Sequence, residues 1–400
     1  MNLDDFSLKC ILTLRYDPNS NVNPKKLEFL TKDQNSTENS ENILEELLVN
    51  NLNQTLQNEK NICVTLSSGI DSTLIATILK KNFPERKIHA ISVKFSDSTD
   101  ETEAAKSIAN RLDIDHHVTY VENFFENLPQ QIGIVNAPFW DLHWFNVAKK
   151  AQTISNNLIS GDGGDELFGG YTFRYEKYLS KITEKNSIDE KIKMYLSCHE
   201  RDWVPDQADI FGKKIKFSWN EIYDFLRTKF DNNLSLIEQV YLADFNGKLI
   251  FNMIPLYEKL HTHFKLKYIA PLLSDNVISF SSKLPSSLKY NQNEKVGKIL
   301  LRKLLEKHKI DDLILKQKQG FSVNTANLWK NYGQKICKYF LDKSRIVNDG
   351  WINPDWISKY IDKNDLEIRY INKFYGLLAF EIWYRLFVTK EMRNDEKLII

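Results

Sequence analysis

Glycine is scarce in this chain, with 14 among 400 residues, and none precedes Gly69. Its absence argues against a compact domain of tight turns ahead of that point. Cysteine is rarer still. Cys10, Cys63, Cys198 and Cys337 are scattered and form neither a CxxC pair nor a dense pattern. That excludes a zinc ribbon and a disulfide-stapled secreted scaffold. No charge of one sign dominates: 54 basic against 53 acidic side chains leave a net charge of +1, with no general pull on nucleic acid or acidic membranes. No apolar run approaches the roughly 18 residues of a membrane span. The opening Met-Asn-Leu-Asp-Asp lacks the basic start and apolar core of a signal peptide. The expectation is a cytoplasmic protein, long enough to bury a substantial core in one large domain or two.

What is present is organised by alternation. Leu8 to Tyr16 reads as a strand, and residues 31–42 are polar throughout and read as a linker. Ile43, Leu44, Leu47, Leu48, Leu52 and Leu56 recur at helical spacing. Strand 62–66 then leads to helix 72–83, strand 88–95 to helix 100–112, strand 117–121 to further helix, and strand 157–160 to Gly161. Strands alternating with helices imply an α/β fold, a parallel twisted sheet with helices on both faces. After about residue 175 strand signals fade into long helical stretches such as 235–266 and 296–309, ending in an apolar helix from Tyr375 to Phe387. The boundaries expected are an N-terminal segment and linker over 1–40, a nucleotide-binding core over 41–180, and a mainly helical part over 181–400.

Two loops on the carboxyl edge of such a sheet carry chemistry. In residues 62–72, Ile-Cys-Val-Thr-Leu-Ser-Ser-Gly-Ile-Asp-Ser, a buried strand ends in small hydroxylated residues and opens into a helix. Free backbone N–H groups and a positive helix end make an anion site there, most often for phosphate. Asp71 would repel a bare phosphate and makes sense with Mg²⁺ between carboxylate and phosphates. In residues 158–171, Leu-Ile-Ser-Gly-Asp-Gly-Gly-Asp-Glu-Leu-Phe-Gly-Gly-Tyr, glycines let backbone approach a ligand while Asp162, Asp165 and Glu166 supply hard oxygens or a base. The spacing does not match an EF-hand. A third, basic stretch holds Lys298 and Arg302, then Lys316-Gln-Lys318-Gln-Gly-Phe321. A Lys-rich face is usually just solvated, but the Gly-Phe after Lys318 presents it like a lysine delivered on a tight turn, where a fixed cation steadies phosphate charge.

Together these stretches resemble the synthetase domain of class B asparagine synthetases, within the PP-loop ATP pyrophosphatases, a fold similar to the adenine nucleotide α-hydrolases. Residues 67–72 match the family's Ser-Gly-Gly-x-Asp-Ser with Ser68 replacing the first Gly, and residues 160–171 fit its second loop throughout. Lys298 to Arg302 and Lys316 to Phe321 match the later elements, with Lys316 replacing Arg, and Asp100-Glu101 and His116-His117 also fall in place. The likeness spans about residues 41–390. It implies a ligase forming C–N bonds: a carboxylate attacks the α-phosphate of ATP, and ammonia or an amine attacks the acyl-adenylate, leaving amide, AMP and pyrophosphate. By the same resemblance, Ser67, Ser68, Gly69 and Ser72 hold pyrophosphate and Asp71 and Asp165 bind Mg²⁺. Leu66, Val93, Ser160 and Gly161 frame AMP. Lys318 stabilises the pentavalent phosphorus, with Lys298 counted beside it as catalytic. Asp162 stands where many relatives carry Glu, near the incoming nucleophile.

Two departures qualify the likeness. Glutamine-dependent members begin with a glutaminase domain whose Cys follows the initiator Met. Here residue 2 is Asn, and residues 1–40 lack glycine. The expectation is an enzyme that takes free ammonia, an amine, or ammonia from a separate glutaminase subunit. The segment that helps form the family's acceptor pocket also diverges, with Lys267 and Ile269 where Glu and Arg are usual. Aspartate is still the first carboxylate to consider. The alternatives are a β-lactam synthetase-like or lasso-cyclase-like ligase, a sugar amidotransferase-like ligase, and a non-catalytic nucleotide-binding relative. His261 and His263 do not read as a metal pair, because their spacing on a helix sends the rings to different faces.

Overall fold

The computed structural model describes residues 3–20, 27–28, 38–57, 59–98, 100–314, 323–363 and 365–398. Its centre is a five-stranded sheet in the order β3-β2-β1-β4-β5, formed by Asp115–Val121, Lys87–Phe95, Asn61–Thr65, Asn157–Ile159 and Lys267–Ile269. Every neighbouring pair is parallel. In β1 Ile62, Cys63 and Val64 are all fully buried, the continuous apolar run of a strand covered on both faces. Ile62, Val64, Ile88, Ala90 and Ile159 face one core with helices α2 (Ser40–Leu56), α3 (Ile70–Asn82) and α4 (Thr102–Leu112). Cys63, Ile91, Val93, Phe95 and Leu158 face the other, which holds the C-terminal helix Ile368–Phe387. The expected parallel α/β sheet and mainly helical C-terminal part are therefore present. Among the described residues, no helix is long and apolar enough to cross a membrane.

Three expectations change. The segment read as a strand from Leu8 is helix α1, Asp5–Leu14, capped by Asp4, whose carboxylate accepts from Ser7 N at 2.7 Å. A short apolar run does not by itself separate strand from buried helix. Here Leu8, Ile11 and Leu12 enter one core while Cys10 and Leu14 enter another, so the run is buried all round. The fifth strand, β5, was not expected. Its three residues take their conformation from pairing Asn157, Leu158 and Ile159 with Lys267, Tyr268 and Ile269. The stretch 235–266 is not one helix. It breaks into Leu236–Asp244, a π-helical turn over Phe245–Met253, and Ile254–His263, with a kink at Asn246 and Gly247.

The chain leaves β1 for β2 and β3 on one side, then returns to β4 and β5 on the other. The order reverses between β1 and β4, so the loops after these two strands flank the switch point where open α/β sheets bind ligands.

Candidate active site

The loop after β1 closes on its own hydroxyls. Ser67 N donates to Ser72 Oγ at 3.1 Å, Gly69 N donates to Ser67 Oγ at 3.1 Å, and the two hydroxyls lie 3.0 Å apart. Gly69 caps α3 with no side-chain bond to the first turn, which leaves N–H groups for an anion. Ser68 is fully buried, and its hydroxyl has no hydrogen-bond partner among the described residues. Leu66 is held by two bonds: its N–H donates to Ile91 O at 2.9 Å, and its carbonyl accepts from Ser92 Oγ at 2.7 Å. Ser92 also meets His116 Nε2 at 2.8 Å, so one histidine of the pair reaches toward the loop. His117, the next residue of β3, points to the opposite face of the sheet, 3.1 Å from His89. Val93 is nearly buried at the end of β2. Asp100, just ahead of α4, accepts from Thr102 N at 2.9 Å and pairs with Lys94 at 2.5 Å. Those bonds draw its pKa down to about 2, Lys94 contributing most.

The second loop is pressed against the first. A Cβ on Gly161 would meet the main-chain carbon of Asp71 at 2.8 Å, and one on Gly164 would collide with the Asp71 carboxylate. The two loops can touch only because both positions lack a side chain. Gly163 turns the chain with φ +90, a conformation glycine adopts without strain.

This contact brings Asp71 and Asp165 to one point, where Lys298 Nζ lies 2.5 Å from Asp71 and 2.6 Å from Asp165. Burial works against the lysine's charge, but Asp165 and Asp71 outweigh it and raise the pKa. Lys298 caps the Ile299–Lys307 helix in the left-handed region, φ 57, a backbone state uncommon for lysine and frequent where a site constrains the chain. Two carboxylates that converge on one cation supply the hard-oxygen donors a Mg²⁺ ion requires, so the residues present fit that metal.

Asp162 stands beside this group without joining it. Its Oδ2 accepts from Ser160 Oγ and from Tyr268 OH, both at 2.6 Å. Burial holds its pKa above the usual carboxylate value, against those two donors and with help from Asp71 and Asp165. Glu166 is buried and accepts from Tyr171 OH at 2.6 Å. Burial and then Asp165 push its pKa up to about 8.

Lys318, expected to act on phosphorus, lies outside the described residues. Lys267 and Ile269 do not line an acceptor pocket. Lys267 is exposed and donates to Thr55 O at 2.7 Å, while Ile269 is buried in the core with α2 and α3. Strand alternation turns Tyr268 between them toward Asp162. His261 is buried against Tyr257 O at 2.6 Å and His263 is exposed, so the two are not a ligand pair.

A separate cavity of about 590 Å³ is walled by Arg15, Trp140, Asp141, Asp202, Lys248 and Tyr257 among others. Its wall residue Tyr257 packs with its ring 6.2 Å from that of Tyr268, the partner of Asp162. Arg15 pairs with Asp141 at 2.5 Å and Asp202 at 3.1 Å. It is set by the end of α1, whose Leu12 carbonyl receives Gln207 Nε2 at 2.9 Å and the buried Lys373. A smaller cavity behind shares Asp202, Arg174 and Lys248 and adds Glu166 and Asp244. Arg15, Lys248 and Tyr268 escaped the sequence reading because no local pattern marks them. Each is a single polar residue in a segment whose apolar neighbours look like core.

The model of the asparagine synthase family matches residues 43–385. Glutamine-hydrolysing asparagine synthetase 1 of Bacillus subtilis is 26% identical over 369 residues, 83% of this chain and 57% of that protein. Glutamine-hydrolysing asparagine synthetase 2 of Oryza sativa is 27% identical over 146 residues, 32% of this chain and 23% of that protein. The chain thus spans little more than half of the Bacillus protein and less of the other. The NMN synthetase of Francisella tularensis aligns with 51% of this chain and 94% of its own, at 15% identity and a TM-score of 0.27, too low to support a conclusion. With the match covering most of its length and both loops meeting at the sheet's switch point, the chain belongs to the asparagine synthase family.

Proposed function

We propose that the protein is an ATP-dependent, AMP-forming amide ligase that activates a carboxylate, aspartate first among candidates, for attack by ammonia or an amine. The single observation that carries this is the convergence of Asp71 and Asp165 on Lys298 where two glycine-bearing loops touch. A phosphate cradle alone needs no buried acids. A site that must manage pyrophosphate as a leaving group needs acids and a cation together.

In this mechanism an oxygen of the substrate carboxylate attacks the α-phosphorus of ATP. The bond to the bridging oxygen of the β-phosphate breaks, and pyrophosphate departs at the N-terminus of α3. Asp71 and Asp165 would hold Mg²⁺, which neutralises phosphate charge when bound. Lys298 keeps the two carboxylates together before nucleotide arrives. Leu66 and Val93 flank the place of the adenosine. Nitrogen then attacks the acyl carbon of the adenylate, AMP leaves, and the proton released from nitrogen passes to Asp162. Its raised pKa strengthens it as a base, and Ser160 and Tyr268 hold it in one orientation.

The test is ATP–pyrophosphate exchange against a panel of carboxylates. Exchange with aspartate, followed by asparagine from ammonium rather than glutamine, establishes the full reaction. Absence of exchange with every carboxylate overturns it in favour of a nucleotide-binding protein without ligase activity.

A further inference from the structure

The amino-terminal half of the sheet, away from both loops, gathers a second set of ligand atoms. His89 lies near the start of β2 and pairs across the ladder with Asp115 of β3. His117 follows two residues along β3 and pairs with Ile91. Residues two apart on a strand share a face, and so do partners in register. His89, Asp115 and His117 therefore project from one face of the sheet, at its β3 edge. Their polar atoms meet there. His89 Nδ1 lies 3.1 Å from His117 Nε2 and 3.4 Å from Asp115 Oδ2. All three ligand atoms fall within 4.8 Å of one another.

These spacings suit atoms that share a metal ion. An ion with nitrogen and oxygen donors at about 2.0–2.2 Å, in tetrahedral or octahedral geometry, spaces neighbouring donors roughly 2.8–3.6 Å apart. Two imidazoles that face each other nitrogen to nitrogen crowd their lone pairs unless a proton or a cation lies between them. A proton joins one pair of the three atoms, whereas a metal ion joins all three. Two imidazoles and a carboxylate suit ions such as Zn²⁺ and Co²⁺, while Mg²⁺ prefers oxygen donors alone. His89 is buried and Asp115 exposed, so a ring fixed on the sheet floor meets a carboxylate open to an arriving ion. Cys63, the neighbour of His89 on β1, directs its thiol to Ala151 O at 3.9 Å and stands outside the cluster. Water is left to complete the coordination. Lys87 competes for Asp115 Oδ2 at 3.1 Å, but both groups are largely exposed, and such pairs are weak.

We propose that His89, Asp115 and His117 bind a divalent transition-metal ion, Zn²⁺ foremost, as a clip that fastens β3 to β2. The sheet gives β3 one neighbour, β2, so a bond between their side chains strengthens the strand held by a single ladder. Ligands carried on paired strands are also placed before the ion arrives. The site is separate from the nucleotide edge. Val93 stands four residues beyond His89 on β2, about 13 Å away at roughly 3.3 Å per residue. The two ends are nevertheless joined. His116, between the two ligands on β3, bonds Ser92 on the other face, and Ser92 holds the Leu66 carbonyl. The clip steadies the strand that braces Leu66. It does not depend on the ligase proposed above.

The experiment titrates the untagged full chain, first stripped with a chelator, with Zn²⁺ by calorimetry and with Co²⁺ by visible absorption, both in excess Mg²⁺. The wild type is expected to bind a single Zn²⁺, to give Co²⁺ the absorption of a nitrogen-ligated ion, and to unfold at a higher temperature with Zn²⁺ than without. His117→Asn and Asp115→Asn should each weaken Zn²⁺ binding at least about 10-fold and remove that rise. Both residues lie outside the buried core, so these variants keep the fold that a change at buried His89 would endanger. Lys87→Ala removes the competing cation and should tighten binding about 2- to 5-fold. Asp71→Asn should leave it unchanged. No Zn²⁺ binding by the wild type, or unaltered affinity in folded His117→Asn and Asp115→Asn proteins, overturns the inference. Loss of binding in Asp71→Asn assigns the ion to the loop edge and overturns it as well. Each of these outcomes leaves the ligase standing, since that is read from pyrophosphate exchange.

Discussion

The loop edge of the sheet and the charged cavity beside it are made in opposite ways. Most of the edge comes from two contiguous loops, 67–72 and 160–171, whose parts are near each other in the chain. The cavity takes one residue at a time: Arg15 from the end of α1, Asp141 from a loop, Asp202 from beyond helix Ile188–Cys198, and Lys248 from a π-helical turn. A phosphate site repeats one geometry, backbone N–H groups at a helix start, so a short motif can encode it. A cavity lined by charges from several directions has no short motif to encode it. The groups of the two loops are local in sequence, while the charges of the cavity are distributed along it.

The largest expected effect strikes the edge. Lys298→Met leaves the Asp71 and Asp165 carboxylates facing each other without their shared cation. It should lower stability by about 3–5 kcal/mol, read from urea unfolding. An unchanged midpoint would mean that this trio holds nothing together. Asp71→Asn keeps size and removes charge. It should reduce exchange at least about 100-fold, with KM for ATP and for Mg²⁺ both raised, and full activity would remove Asp71 from the metal site.

Arg15→Ala strikes the cavity instead. It strips Asp141 and Asp202 of their partner and should cost about 2–3 kcal/mol. In the kinetics it should spare KM for ATP. If that KM rises, edge and cavity are not separable and the contrast between them fails. The smallest effect is a slope, from the residue where the two regions meet. The Glu166 pKa is raised from 4.5 to about 8, so the native state holds a proton that the unfolded chain releases. The contribution is complete below about pH 4.5 and is lost as pH rises toward 8, at no more than about 1.4 kcal/mol per unit. Glu166→Gln should abolish this dependence in thermal unfolding followed from pH 5 to 8.5. An unaltered slope would place the titration elsewhere.

Much of the fold could be read ahead of the structure because buried parallel strands such as Ile62 to Val64 are continuous apolar runs. Strand β5 could not, since Lys267-Tyr-Ile269 has no strand pattern and is shaped by its partner β4. Helix α1 misled for a related reason. A segment buried on every side loses the polar stripe that distinguishes helix from strand. In the site, both loops, with Asp71, Asp162 and Asp165, were legible from residue type and order. Placing Lys267 in the acceptor pocket failed because one step along a strand exchanges its faces, which put Tyr268 against Asp162 instead.

The sequence by itself determined the family, the parallel sheet, and the two loops, because glycines, hydroxyls and acids in a set order after a strand admit few geometries. Only the tertiary structure decided that Lys298 bridges Asp71 and Asp165, and that α1 lends Arg15 to the cavity beside Asp141 and Asp202. Those facts are distances between residues far apart in the chain, and such distances are set by how helices pack on the sheet rather than by any local preference.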